Sequence, residues 1–234
     1  MKKTVLAVTA LLISLLLAAC GGVGGELMAV APLGNGRQAE AYGGITGVRT
    51  VIIRAADGSE EQRFTCKNKT TEPYAEGDGE NYGFAVGDVD FDGISDLIVT
   101  TSRSTEGNIC DYFRADGNGG FYRDSVLSVL RGVRFDREAG EAYVTTRTHT
   151  ELPTVPNAPS RYTDEIKVTY YAPNAEKNGR FEVVREETLT YYSETEIYCF
   201  AVYYPDDNGE MQIEDEKWIL PDKLARAGLE NFGD

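Results

Sequence analysis

Four aspartates stand in the stretch Asp88-Val89-Asp90-Phe91-Asp92-Gly93-Ile94-Ser95-Asp96-Leu97, at places one, three, five and nine of a short loop with glycine at six. Carboxylates in that pattern suit a hard cation. Calcium takes six to eight oxygen ligands in flexible geometry and favours carboxylates and backbone carbonyls. Alternate residues of a tightly curled loop point inward, so Asp88, Asp90 and Asp92 are expected to converge on one point. Ile94 would add its carbonyl and Asp96 the carboxylate that closes the shell, while Gly93 makes a turn that a side chain would obstruct. Without a cation the same residues would form an acidic turn whose like charges raise one another's pKa and destabilise the loop.

The elements on either side exclude an EF-hand. That loop needs a bidentate Glu at place twelve, where this chain has Val99. Gly83-Phe84-Ala85-Val86-Gly87 enters and Leu97-Ile98-Val99-Thr100-Thr101 leaves, and both read as strands. The expectation is a calcium loop between two strands.

DVDFDGISDL, followed by an apolar strand and by Ala115-Asp116-Gly117-Asn118-Gly119-Gly120-Phe121, resembles a single FG-GAP or VCBS-type repeat over residues 83–122, roughly a sixth of the chain. The resemblance implies calcium as the cofactor, with Asp88, Asp90, Asp92 and Asp96 as ligands and a structural rather than catalytic role for the ion. Propellers repeat the loop blade after blade, and about four blades are the minimum. One copy therefore excludes that fold. The chain is more similar to single-loop extracytoplasmic lipoproteins of bacteria, some of which resemble immunity proteins against peptidoglycan-cleaving enzymes.

The chain opens with Met1-Lys2-Lys3 and an apolar run from Val5 to Leu17, and Leu17-Ala18-Ala19-Cys20 reads as a lipobox. Residues 1–19 are expected to be a lipoprotein signal, and Cys20 the lipidated residue that anchors the protein to a membrane on its extracytoplasmic face. Residues 20–41, rich in Gly and Ala, are expected to form a flexible tether, and residues 42–234 one β-rich domain.

The formal net charge is -15, which argues against nucleic acid or anionic lipid as a partner, since both need clustered Lys and Arg. It suits a solvated exported surface, a cation site, or a protein or glycan partner, the protein basic. Cys66, Cys110 and Cys199 leave disulfide pairing open, and without a Cys/His cluster a zinc site is not expected.

The remainder reads as strands punctuated by turns. Expected strands are Val48–Arg54, Gln62–Lys67, Asn108–Arg114, Gly120–Arg123, Gly132–Asp136, Glu141–His149, Glu165–Tyr171, Phe181–Tyr192 and Thr195–Tyr204. Asp57-Gly58, Asp116-Gly117-Asn118-Gly119, Asn178-Gly179 and Asp207-Asn208-Gly209 supply turns. Ser125–Leu130 is a short helical turn, Pro153 to Pro159 a Pro-rich loop, and Pro221–Leu229 the single helix. The fold class is mainly β, an antiparallel meander or sandwich.

No nucleophile elbow, Walker loop or dinucleotide fingerprint is present, and the one histidine is His149, so no catalytic residue is assigned. Two function classes stand. One is a non-catalytic binding module, in its sharpest form an inhibitor of a wall-lytic enzyme. The other is an exported hydrolase using paired carboxylates.

Overall fold

A computed structural model describes residues 25–67, 83–104, 107–153 and 160–233. The expected signal over residues 1–19, Cys20 and the larger part of the Pro-rich loop lie outside the described residues. The fold is mainly β, as expected, and the described residues form three antiparallel sheets with no closed barrel or propeller among them. Among the described residues no helix is long and apolar enough to cross a membrane.

The chain divides into two compact units, where the sequence reading has one domain. One comprises the chain to Val86 with Ile98–Ser102, and the other Gly87–Leu97 with Arg103 onward.

The first unit carries strands β1 (Glu26–Gly34), β2 (Arg37–Gly44), β3 (Gly47–Arg54) and β4 (Glu60–Thr65), which form a meander in chain order. Strands β1 and β2 correct the tether boundary. Gly34 pairs with Arg37 across Asn35-Gly36, which both have positive φ, 51° and 74°. That is the backbone of a type I′ turn, the tightest link between antiparallel strands. The alanines read as tether are packed small residues, with Ala39 and Ala41 at 0% exposure. Pro32 is tolerated because β1 is the sheet's edge, where a missing N–H breaks no ladder. Strand β3 is buried on both faces through Val48, Val51, Ile52 and Ile53. Glu40, buried in β2, accepts hydrogen bonds from Tyr42 Oη (2.7 Å) and Arg54 Nε (2.6 Å), which satisfies its charge.

A four-stranded sheet has the order β5 (Phe84–Gly87), β6 (Asp96–Ser102), β7 (Ile109–Ala115) and β8 (Phe121–Arg123). The acidic loop joins β5 to β6, between two strands as expected. The loop, β7 and β8 belong to the second unit.

The second unit also holds the largest sheet, in which β9 (Arg134–Asp136), β10 (Glu141–Glu151), β11 (Tyr162–Asn174), β12 (Arg180–Tyr192), β13 (Ile197–Pro205) and β14 (Met211–Ile219) pair as consecutive neighbours. On one face Ile166 stands opposite Leu189, and Leu189 opposite Phe200. The C-terminal segment covers part of this face, with the Phe232 ring edge-on to Phe200 at 5.6 Å.

Two expectations are corrected at this end of the chain. Strand β14 has no counterpart in the sequence reading, because its run of acidic residues hides the strand pattern. The helix expected over Pro221–Leu229 is instead two short 3-10 turns, Pro221–Lys223 and Ala225–Ala227. They stop at Gly228, whose φ of 72° no helix can continue. The cysteines at 66, 110 and 199 are buried, and no disulfide joins them among the described residues.

Candidate metal centre

The loop is built from its ends inward. Val89 and Leu97 are sealed in the core at 1% and 0% exposure, which fixes the curl between them. Phe91 takes a left-handed φ of 65°, a strained conformation for an aromatic residue, and its ring meets Phe135 edge-on at 6.3 Å. Gly93 has φ 84°, and a Cβ built there would meet nothing within 4 Å. The glycine is therefore required by backbone conformation, not by the lack of room assumed from sequence.

Each carboxylate has a distinct place. Asp96, 1% exposed at the start of β6, accepts the Val89 amide on Oδ2 (2.9 Å) and the Ala115 amide on Oδ1 (2.8 Å), tying the loop to β7. Asp88 Oδ2 accepts the Gly93 amide at 3.0 Å. One carboxylate oxygen each of Asp88, Asp90 and Asp96 lies within 4.8 Å of the other two. Asp92 stands apart from this triad, with Oδ1 taking the Ile94 amide at 2.7 Å. Ile94 lies on the turn with its side chain 42% exposed. The structure thus gathers three of the four predicted carboxylates.

A residue read from sequence only as the end of a strand joins the site. Arg114, on β7 and buried, donates Nε to Asp90 Oδ2 at 2.7 Å and Nη2 to the same oxygen. Its Nη1 reaches the Gly179 carbonyl at 2.8 Å and Asp124 Oδ2 at 3.3 Å. The guanidinium also lies 5.4 Å from the ring centres of Tyr122 and of Phe181. A Cβ on Gly179 would come within 2.8 Å of Arg114 Nη2, so a side chain there would displace the guanidinium, and the φ of 73° itself favours glycine. Nothing local in the sequence marks this pair, since Arg114 and Asp90 are 24 residues apart.

Electrostatics follow from burial. Burial pushes the Asp96 carboxyl up to about 6, against the pull of the two amides, and the charges of Asp90 and Asp92 add to the rise. Burial also raises Asp90, with Arg114 opposing it. Burial works against the charge on Arg114, but Asp90 and the other acidic neighbours outweigh it.

Asp88 Oδ1 and Asp90 Oδ1 are buried and have no hydrogen-bond partner. A buried acceptor without a partner costs roughly 1–3 kcal/mol, more when charged. Two such oxygens on carboxylates of one acidic triad fit a cation, and an all-oxygen donor set fits calcium or magnesium better than zinc.

Beside the loop opens a cleft of about 750 Å³, with Asp92 and Asp116 among its acidic walls and Lys177 and Arg180 among its basic ones. Its carboxylates hold structure. Asp116 Oδ1 accepts the amides of Asn118 and Gly120, both at 2.8 Å. Asp124 Oδ1 accepts those of Val126 (2.8 Å) and Leu127 (2.7 Å). The lone histidine, His149, is exposed on β10 and bonded to Asp164 at 2.6 Å.

No family profile, no curated protein and no solved structure matches this chain.

Proposed function

We propose that the chain is a non-catalytic binding module, held by lipid on Cys20 at the extracytoplasmic face of a membrane, whose second unit is stapled by a calcium ion. Asp88, Asp90 and Asp96 would hold the ion, with Ile94 supplying its carbonyl and Asp92 shaping the turn. The observation that carries this reading is the pair of partnerless buried oxygens, Asp88 Oδ1 and Asp90 Oδ1, on two carboxylates of the triad. Bound there, calcium supplies charge neutralisation and oxygen coordination. The likeness of the loop to an FG-GAP repeat supports the choice of ion, and the lipobox supports the anchor. A structural role is supported by the engagement of the cleft carboxylates Asp90, Asp116 and Asp124 in the Arg114 pair and in loop amides.

Thermal melts in calcium, magnesium and chelator test the proposal. A ligand at a hundred times its Kd stabilises by about 2.7 kcal/mol, which for a chain of this size is roughly 5–11 °C in Tm. That shift is expected in calcium and absent in magnesium. Asp88→Asn should remove it, and Asp116→Asn should keep it, because an amide oxygen still accepts the Asn118 and Gly120 N–H groups. A chain that melts at one temperature in all three solutions overturns the calcium site.

A further inference from the structure

Strand β14 ends the six-stranded sheet, and its burial is unusual. Gln212 to Trp218 are all exposed, seven residues in succession, so both faces of the strand meet solvent. Three large apolar side chains stand there half-bare or more, Ile213 at 57%, Trp218 at 59% and Leu220 at 53%. An open edge with exposed apolar side chains is a template for pairing with another strand.

The chemistry of the edge selects the partner. Between residues 206 and 217 lie Asp206, Asp207, Glu210, Glu214, Asp215 and Glu216 against a single base, Lys217, which is already paired with Asp215 at 2.6 Å. The Trp218 ring packs on Tyr192 at 5.5 Å and donates Nε1 to Glu216 Oε1 at 2.7 Å. An exposed indole beside carboxylates attracts an ammonium or a guanidinium. The two rings are inclined at 36°, so they present no common plane for the face of a sugar. A second copy of the chain is also disfavoured, because antiparallel pairing of β14 with itself brings acidic residues opposite acidic residues.

We propose that β14 is a docking edge for an extended, basic segment of a protein partner. The segment adds as a further strand, its Lys or Arg side chains meeting Glu214, Asp215 and Glu216 and covering Trp218. This rests on the binding-module reading and names its surface and partner class. It does not depend on the ion: loss of the calcium shift would leave it standing, and its failure would leave the calcium shift in place.

Trp218 is the chain's only tryptophan, so its fluorescence reports this edge alone. The full chain is titrated with three probes: a short peptide alternating Arg and Thr, its Glu-Thr counterpart, and a β-1,4-linked N-acetylglucosamine oligosaccharide. The basic peptide is expected to shift and quench the emission, and the other two to leave it unchanged. Anisotropy of the labelled basic peptide should show affinity falling roughly tenfold between low and high salt, as screening of surface charge requires. Combined Glu214→Gln, Asp215→Asn and Glu216→Gln changes should weaken it about tenfold or more, and Trp218→Ala should weaken it with the charges intact. All four side chains are exposed, so unchanged circular dichroism is expected. A response to the oligosaccharide and not to the basic peptide would make the edge a glycan site and overturn the proposal. Silence to all probes, or a sedimentation coefficient showing self-association that the triple variant strengthens, would do the same.

Discussion

Asp90 and Arg114 show how little of a site a local pattern contains. The spacing of Asp88, Asp90, Asp92 and Asp96 marks an acidic loop, because alternate residues of a tight curl share a direction. The partition among them is a matter of competition for hydrogen bonds. Asp92 finds the Ile94 amide, whereas Asp96 finds two amides in the core. Arg114 enters from another strand and takes one oxygen of Asp90, leaving the other without a hydrogen-bond partner. Removing the arginine strands Asp90 and Asp124 in a buried setting. Arg114→Met is therefore expected to cost about 3–5 kcal/mol, the usual penalty for breaking a buried ion pair from one side. Urea unfolding measures it, and a cost under about 1 kcal/mol would show that water reaches the pair.

At the scale of elements, the strands with clear β-branched and aromatic runs lie close to where they were expected, and the turns at Asp57-Gly58, Asn178-Gly179 and Asp207-Asn208-Gly209 join them. The failures have two physical causes. Composition concealed β1 and β2, since Gly and Ala suggest a tether when unpaired but close packing when paired, and the Asn35-Gly36 turn was the overlooked signal. Charge concealed β14, whose pairing with β13 supplies what its own side chains do not. The β1–β2 hairpin should be indispensable to the first unit. A chain beginning at Tyr42 loses β1 and the partner strand of β3, and it should show reduced β signal in far-ultraviolet circular dichroism and rapid proteolysis relative to one beginning at Gly25. Equal resistance would restore the tether reading.

For the whole molecule, acidity and burial set how stability responds to pH. Asp96 has a folded pKa of about 6, above the roughly 3.9 of an unfolded aspartate. The folded state therefore holds the proton more tightly, and stability in chelator should fall as pH rises from about 4 to about 6, by on the order of 3 kcal/mol. Burial raises Asp90 in the same direction. Calcium favours the ionised carboxylates and should flatten or reverse that slope. Melts across the pH range in calcium and in chelator measure it, and parallel curves would show that the ion does not bind at Asp96. From sequence alone came the β class, the acidic loop with its strands on either side, and the exclusion of a propeller. Each depends on residue type or short-range spacing, which are local. Tertiary structure alone decided the triad, the Arg114 pair, the division into two units and the bare edge at β14. Those depend on which strands pair and which surfaces stay uncovered, and long-range pairing is a property of the assembled sheets that no short window of sequence contains.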